Sequence, residues 1–265
     1  MRAVGRTLQS FPRLIRTSPA MSTLAVDAAR AAELVDNISD VAAKVAAAAA
    51  GRQVRLVAVS KLKPAEDVLA LYTHGHRHFG ENYMQELLDK AQTLPADVQW
   101  HFIGGLQTNK CAALAAVPNL YAVESVDTAK KASKLSDTRA GLKASGLGPL
   151  NVYLQVNTSG EDSKSGVAPD DVLALARHVV DQCPGLRLVG LMTIGDIARS
   201  KAADVENADF KTLVAIRDTV QTALGLDLEL SMGMSSDFEE AIRQGSTNVR
   251  VGTTIFGVRP PKKTA

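Results

Sequence analysis

From residue 23 onward, short apolar runs rich in Val, Ile and Leu alternate with longer amphipathic stretches, and this rhythm predicts a succession of β/α units. Eight runs read as strands: Leu56–Ser60, Arg77–Gly80, Trp100–Gly104, Leu120–Ser125, Asn151–Asn157, Leu188–Ile194, Glu229–Met232 and Asn248–Phe256. The run Leu56-Val57-Ala58-Val59 is continuous rather than alternating, which implies burial on both faces in a parallel sheet flanked by helices. Between strands the helical period is explicit: Val172, Leu175, Ala176 and Val179 share one face, Pro169 opens the segment and Pro184-Gly185 follows it. An additional helix precedes the first strand, with Leu34, Val35, Ile38, Val41, Ala42 and Val45 on one stripe and Gly51 as its stop; it is expected to cover one end of the fold. Eight such units in roughly 250 residues match an α/β fold of the single (β/α)8 TIM-type barrel kind. An open doubly wound sheet is the competing architecture, but no Gly-x-Gly-x-x-Gly turn follows the first strand.

Composition narrows the class. Of 265 residues, 46% are hydrophobic, 22% charged and only 10 are proline, which excludes collagenous, disordered and disulfide-scaffold chains. Arg2, Arg6, Arg13 and Arg16 stand in an acid-free, Ser- and Thr-bearing opening, composed like an organellar transit peptide. A disordered extension ahead of a second possible start at Met21 is the competing reading. Residues 1–22 are therefore set apart from a barrel over 23–265, and the expected location is cytoplasmic, mitochondrial or both, with a plastid left open. Beyond residue 22 the chain holds 26 basic and 28 acidic residues, so no basic footprint points to nucleic acid. Val41–Ala50 is too short for a membrane span and contains Lys44. Cys111 and Cys183 form neither a ligand-spaced pair nor a disulfide framework; they read as small buried hydrophobes in a reducing compartment.

In a barrel the chemistry stands at the C-terminal ends of the strands. The first strand delivers Lys61 there. An amine at the end of an apolar run is partly desolvated, which lowers its pKa and frees it to attack carbonyls. A surface loop lysine is the competing reading, and Lys63, just before Pro64, is expected to point to solvent. After the seventh strand, Ser231-Met232-Gly233-Met234-Ser235-Ser236 leads into a helix expected to begin at Asp237, where Ser236 and Glu239 have capping-box spacing. The eighth strand contributes Arg250-Val251-Gly252-Thr253-Thr254, a glycine and hydroxyls suited to anionic oxygens. Barrels bind phosphate at this place, and strand eight adjoins strand one on closure, so the combination asks for a phosphorylated aldehyde or ketone. His74, His76 and His78 read as a solvated turn rather than a metal site, and His101, at the start of its strand, as structural. Glu81, at the end of the second strand, reads equally as a contact to a substrate or a loop and as a surface ion pair.

Seven motifs together carry a resemblance: Val57-Ala58-Val59-Ser60-Lys61, Phe79-Gly80-Glu81-Asn82-Tyr83, Trp100-His101-Phe102-Ile103-Gly104, Gln155-Val156-Asn157-Thr158-Ser159-Gly160-Glu161, Gly190-Leu191-Met192-Thr193-Ile194, Leu230-Ser231-Met232-Gly233-Met234-Ser235 and Arg250-Val251-Gly252-Thr253. In this order, from about residue 30 to residue 259, they resemble the pyridoxal phosphate homeostasis proteins, the YggS/PROSC family, whose fold is related to the barrel domain of alanine racemase; Gly105 is a local variation. The resemblance implies pyridoxal 5′-phosphate (PLP) bound as an aldimine to Lys61. It places Asn82 beside the cofactor, Met192 near the ring, and Ser231, Gly233, Gly252 and Thr253 around the phosphate, with Ser235 a weaker candidate. It sets Arg250 toward the pyridine nitrogen, where a guanidinium keeps that nitrogen unprotonated and makes the ring a poorer electron sink.

Three functions follow as expectations. The first is a non-catalytic protein that holds PLP and other B6 vitamers reversibly, with PLP-dependent apoenzymes as candidate recipients, acting as a monomer without nucleic acid, membrane or metal. The second is a PLP-dependent amino-acid racemase; it needs an acid/base on each face of the substrate, and the chain after strand eight is expected to leave no room for the domain that supplies one of them. The third, a Schiff-base aldolase for sugar phosphates, uses the same lysine and cradle but not the seven motifs.

Overall fold

Continuous apolar strands that each need cover on two faces are satisfied by closing the sheet on itself and ringing it with helices. In a computed structural model, which describes residues 24–161, 165–196 and 206–258, eight strands run in parallel in chain order: β1 (Arg55–Val59), β2 (His78–Glu81), β3 (Gln99–Phe102), β4 (Leu120–Val126), β5 (Leu150–Gln155), β6 (Leu186–Met192), β7 (Glu229–Ser231) and β8 (Asn248–Val251). β8 pairs back on β1, with Val57 opposite Arg250 and Ala58 opposite Val251, so the barrel is closed and the open-sheet alternative is excluded. The expected N-terminal extension, residues 1–22, lies outside the described residues.

The outer ring comprises α1 (Ala28–Ala49), α2 (Ala65–Thr73), α3 (Met84–Thr93), α4 (Cys111–Ala115), α5 (Ala129–Gly141), α6 (Val172–Gln182), α7 (Ala208–Leu224), α8 (Phe238–Arg243) and α9 (Thr253–Phe256). The Asp27 side chain caps α1 by accepting the Arg30 N–H at 2.9 Å. Leu34, Ile38, Val41, Val45 and Ala49 form its buried stripe. Contrary to expectation, α1 does not cover a barrel end. It packs along the wall against α2, α8 and α9. The reason is the short element after β8: a four-residue α9 cannot cover the sector outside β8 and β1, and α1 fills it.

Two further expectations are corrected. The apolar run Asn248–Phe256 is not one strand: it leaves the sheet after Val251, and Thr253–Phe256 turns helical, which buries Ile255 and Phe256 in the core beside α1. Nor does Ser236 cap the helix after β7, which begins at Phe238. Asp237 closes that turn instead, its Oδ1 accepting the Met234 N–H at 2.6 Å. Among the described residues no helix is long and apolar enough to cross a membrane. Leu34→Ala is expected to lower the free energy of unfolding by about 2–5 kcal/mol, because the cavity left under α1 has no neighbour free to fill it. Urea denaturation checks this, with exposed Lys44→Ala as a control whose midpoint stays near wild type.

Candidate functional site

The C-terminal ends of β8 and β1 lie side by side, and between their loops opens a cavity of about 350 Å³. Six of the expected site residues line it: Lys61, Asn82, Ser235, Arg250, Gly252 and Thr253. Lys61, half-buried, occupies a tight turn closed by the Lys63 N–H donating to Ser60 O at 3.1 Å, with Leu62 in the left-handed region at φ 60°. The next loop is locked against β1. Ser235 Oγ accepts the Gly252 N–H at 3.2 Å, and a Cβ at Gly252 would stand 3.2 Å from Val59 O, a tight contact that a glycine avoids. Asn82 follows β2, and its Oδ1 is buried without a hydrogen-bond partner among the described residues. Its backbone is pressed by Gly104, where a Cβ would come within 2.0 Å of Asn82 O. A second cavity of about 180 Å³ shares Asn82, Ile103 and Ile194 and extends to Gly105, Asn157 and Thr158.

Lys63 departs from expectation. Its amine donates to Phe256 O at 2.8 Å and Val258 O at 3.0 Å instead of pointing to solvent, because α9 ends above the β1 loop and presents carbonyls that no further helical turn uses. Burial, with the charge of Arg30 behind it, lowers the pKa of this amine.

Three expected residues stay out of the cavity. Met192 and Ser231 face each other across the β6–β7 ladder inside the barrel, a layer below the mouth. Met192 packs with Ala122 and Tyr153, while the Ser231 hydroxyl is consumed by internal hydrogen bonds. Gly233, at φ 96°, backs onto α8, where a Cβ would lie 2.5 Å from the Ala241 Cβ.

The layer holding Ser231 is polar. Arg250 Nη1 donates to Ser231 Oγ at 2.5 Å and Nη2 to Thr193 O at 2.8 Å. The Ser231 hydroxyl donates to Glu124 Oε2 at 2.5 Å, and Asn248 Nδ2 donates to both Glu124 oxygens. His101 Nδ1 donates to Glu124 Oε1 at 2.6 Å, and His101 Nε2 lies 3.0 Å from His78 Nδ1. Burial alone would raise the Glu124 pKa; the hydrogen bond and charge of His101, the charge of Arg250 and the Ser231 hydroxyl hold it below the usual carboxylate value. His101 is thus buried and structural, though inside its strand rather than at its start. The reading of the histidine string holds for exposed His74 only. His76 is half-buried and bonded to His78 O, and His78 turns into the barrel. Burial pushes their pKa values down to about 4 and about 3. Among the described residues no cluster of His, Cys, Asp and Glu is placed to hold a metal.

Behind the Lys61 turn stands a second buried polar group. Glu81, fully buried rather than on the surface, accepts from Lys90 Nζ at 2.6 Å and from Ser60 Oγ at 2.7 Å. Burial raises its carboxyl to about 7 against the opposing pull of Lys90. Sequence reasoning missed Glu124 and Lys90. The available signal for Glu124 was a single acid inside the apolar run of β4; for Lys90 it was the i, i+4 spacing from Glu86. Burial also pushes both cysteine thiols up, which keeps them unreactive.

Two predictions follow from the buried layer. Glu124→Gln leaves the Arg250 guanidinium without its counter-charge and is expected to lose about 3–5 kcal/mol of stability in urea unfolding. The histidines predict a pH slope. Their folded pKa values lie below the unfolded value of 6.5, so unfolded chains bind more protons and stability falls as pH drops from 6.5 toward 4. Glu81, raised from 4.5 to about 7, opposes this over the same window, since its contribution is present at low pH and lost as pH rises. His78→Gln is expected to flatten the acid-side fall when unfolding free energy is measured across that range.

The family described as Alanine racemase, N-terminal domain matches residues 32–260. The chain is 54% identical over 213 residues to the pyridoxal phosphate homeostasis protein of Schizosaccharomyces pombe, covering 80% of this chain and 87% of that one. Among solved structures it is similar to PipY of Synechococcus elongatus with PLP bound, at TM-score 0.70 and 31% identity over 84% of this chain and all of that one. Alanine racemase from Corynebacterium glutamicum shares the fold, at TM-score 0.63 and 15% identity over 89% of this chain and 64% of that one. The chain belongs to the pyridoxal phosphate homeostasis proteins, within the family of the alanine racemase N-terminal domain.

Proposed function

We propose that this protein binds PLP at the barrel mouth, with Lys61 as the amine of covalent attachment, and takes part in vitamin B6 homeostasis without substantial turnover of its own. One observation carries the reading: an amine, a fixed guanidinium and a hydroxyl-bearing loop pair converge on a single cavity. When bound, PLP supplies an aldehyde for a lysine amine to condense with, and a phosphate that needs donors. The cavity has donors of the right kinds. Ser235, Ser236 and Thr253 bring hydroxyls to the wall where Gly252 allows close approach, and Asn82 brings an unsatisfied acceptor. Arg250 uses Nη1 and Nη2 on Ser231 and Thr193, which leaves guanidinium protons for a ring nitrogen. The volume suits a ligand of this size. PLP in the PipY relative supports the same assignment.

For a racemase, removing a proton on one face and returning one on the other takes two acid/base groups. Among the described residues lining the cavity, the basic side chains are Lys61, Lys63 and Arg250, with no carboxylate, imidazole or phenol. Lys63 is tied to two carbonyls and Arg250 holds its proton too firmly. The proposal extends to a monomer that serves PLP-dependent apoenzymes in the cytoplasm or mitochondrion. Purified protein mixed with PLP is expected to develop a visible absorbance band that is absent in Lys61→Ala, and borohydride is expected to fix the cofactor mass on Lys61. A colourless wild type overturns the assignment, and alanine racemisation above a buffer control overturns the non-catalytic half.

A further inference from the structure

The turn that carries Lys61 is conformationally expensive. Leu62 holds φ 60°, a region that favours glycine and costs a residue with a Cβ about 1–2 kcal/mol. Its side chain is 41% exposed and lies outside the buried core, so core packing offsets little of this. What holds the turn is α3. On the near side of Lys61, Ser60 O accepts Lys90 Nζ at 2.9 Å while its hydroxyl donates to Glu81. On the far side, the Leu62 N–H donates to Glu86 Oε2 at 2.8 Å. Glu86 and Lys90 stand one turn apart on α3, and Lys90 Nζ reaches Glu81 and, at 3.5 Å, Glu86. The residues before and after Lys61 are therefore both bonded to one cluster of side chains on α3 and β2.

We propose that Lys90 and Glu86 are positioning residues for Lys61: they hold Ser60 and Leu62 in the strained turn and so fix where the attaching amine stands. This rests on the reading of Lys61 as that amine. Attachment forms a C=N bond between Lys61 Nζ and the aldehyde carbon, and the carbonyl oxygen leaves as water with two protons from the amine. The reaction is sensitive to where the amine sits, because a nucleophile displaced by about 1 Å loses much of the advantage of being held in place. The hydroxyls proposed for the phosphate, on Ser235, Ser236 and Thr253, and the Arg250 guanidinium proposed for the ring stand on β8 and the loops after β7 and β8, not on α3.

The test separates attachment from binding by using two probes on the full chain: PLP, and pyridoxine 5′-phosphate, which keeps ring and phosphate but has an alcohol where the aldehyde was. PLP is titrated by visible absorbance, pyridoxine 5′-phosphate by calorimetry, and thermal unfolding is recorded for each variant. In Lys90→Met the affinity for PLP is expected to fall by about tenfold or more, which is about 1.4 kcal/mol. The affinity for pyridoxine 5′-phosphate is expected to stay near wild type. Glu86→Ala, which removes the acceptor for Leu62 without opening the core, is expected to give the same split at smaller size; should Lys90→Met fail to fold, Glu86→Ala decides alone. Lys90→Arg is expected to recover part of the PLP affinity. Unchanged PLP affinity in the folded variants overturns the proposal, as does an equal loss for both probes, the signature of a merely structural role. A wild type with no Lys61-dependent band instead removes the attachment reading itself, and this inference with it.

Discussion

The four-residue ladder between β1 and β8 is the constraint on which site and fold both depend. Arg55, Leu56, Val57 and Ala58 pair with Asn248, Val249, Arg250 and Val251, and that register sets the Gly252 loop directly beside Val59 and the Lys61 turn. Neither strand holds a site alone. A slip of one residue would turn Arg250 from the barrel interior to the helix layer and carry Gly252 away from Val59 O. The contact at Gly252 thus does more than allow a turn. It sets the backbone of one loop against the end of the neighbouring strand, and a side chain at that position would require Val59 to yield by a few tenths of an ångström.

The same register puts a guanidinium into the barrel, and the rest of the interior answers it. A buried cation is tolerated when it is both neutralised and hydrogen-bonded. Glu124 supplies the charge, the Ser231 hydroxyl bridges it to the guanidinium, and Thr193 O accepts a second guanidinium N–H. Glu124 in turn accepts from His101, Ser231 and Asn248, so its lone pairs are used. Below it, Arg55 pairs with Glu229 while Tyr153 donates to the same carboxylate. Branched apolar side chains fill most barrels of this kind. Here two polar layers replace part of that filling, and the upper one holds Arg250 through Ser231 and Thr193.

The barrel was legible in the sequence because parallel strands buried on both faces leave continuous apolar runs, and eight of these stand out from amphipathic helices. Ends were less legible. Val251-Gly252-Thr253-Thr254-Ile255-Phe256 has β-branched composition, yet Gly252 ends the strand and the helical turn that follows buries Ile255 and Phe256 more fully than a longer strand would. Lys61, Gly252 and Thr253 lie past their strand ends, where direction matters little, and they line the mouth. Met192 and Ser231 lie within strands and point into the barrel, where depth below the mouth is set by the register between strands and leaves no mark in the sequence of either strand alone. The α3 brace was hidden for another reason: its bonds join residues 24 to 30 positions apart, and sequence spacing shows only the Glu86 and Lys90 half of it.

α9 joins the cavity wall to the core and to α1. Thr253 opens the helix at the cavity wall, and two residues later Ile255 and Phe256 are in the core. Phe256 O accepts from Arg30 of α1 and from Lys63 of the β1 loop, each at 2.8 Å, while Ile255 O accepts from Asn37. The wall that presents Thr253 is therefore fastened on one side to the turn bearing Lys61 and on the other to the helix that begins the fold. Since Arg30 also pairs with Asp67 of α2, the element leaving β1 shares that fastening. The helix that sequence reasoning placed over a barrel end instead closes the wall at the seam between first and last strands. Its buried stripe stabilises the ring, and its polar edge sets the position of the four residues on which one side of the cavity is built.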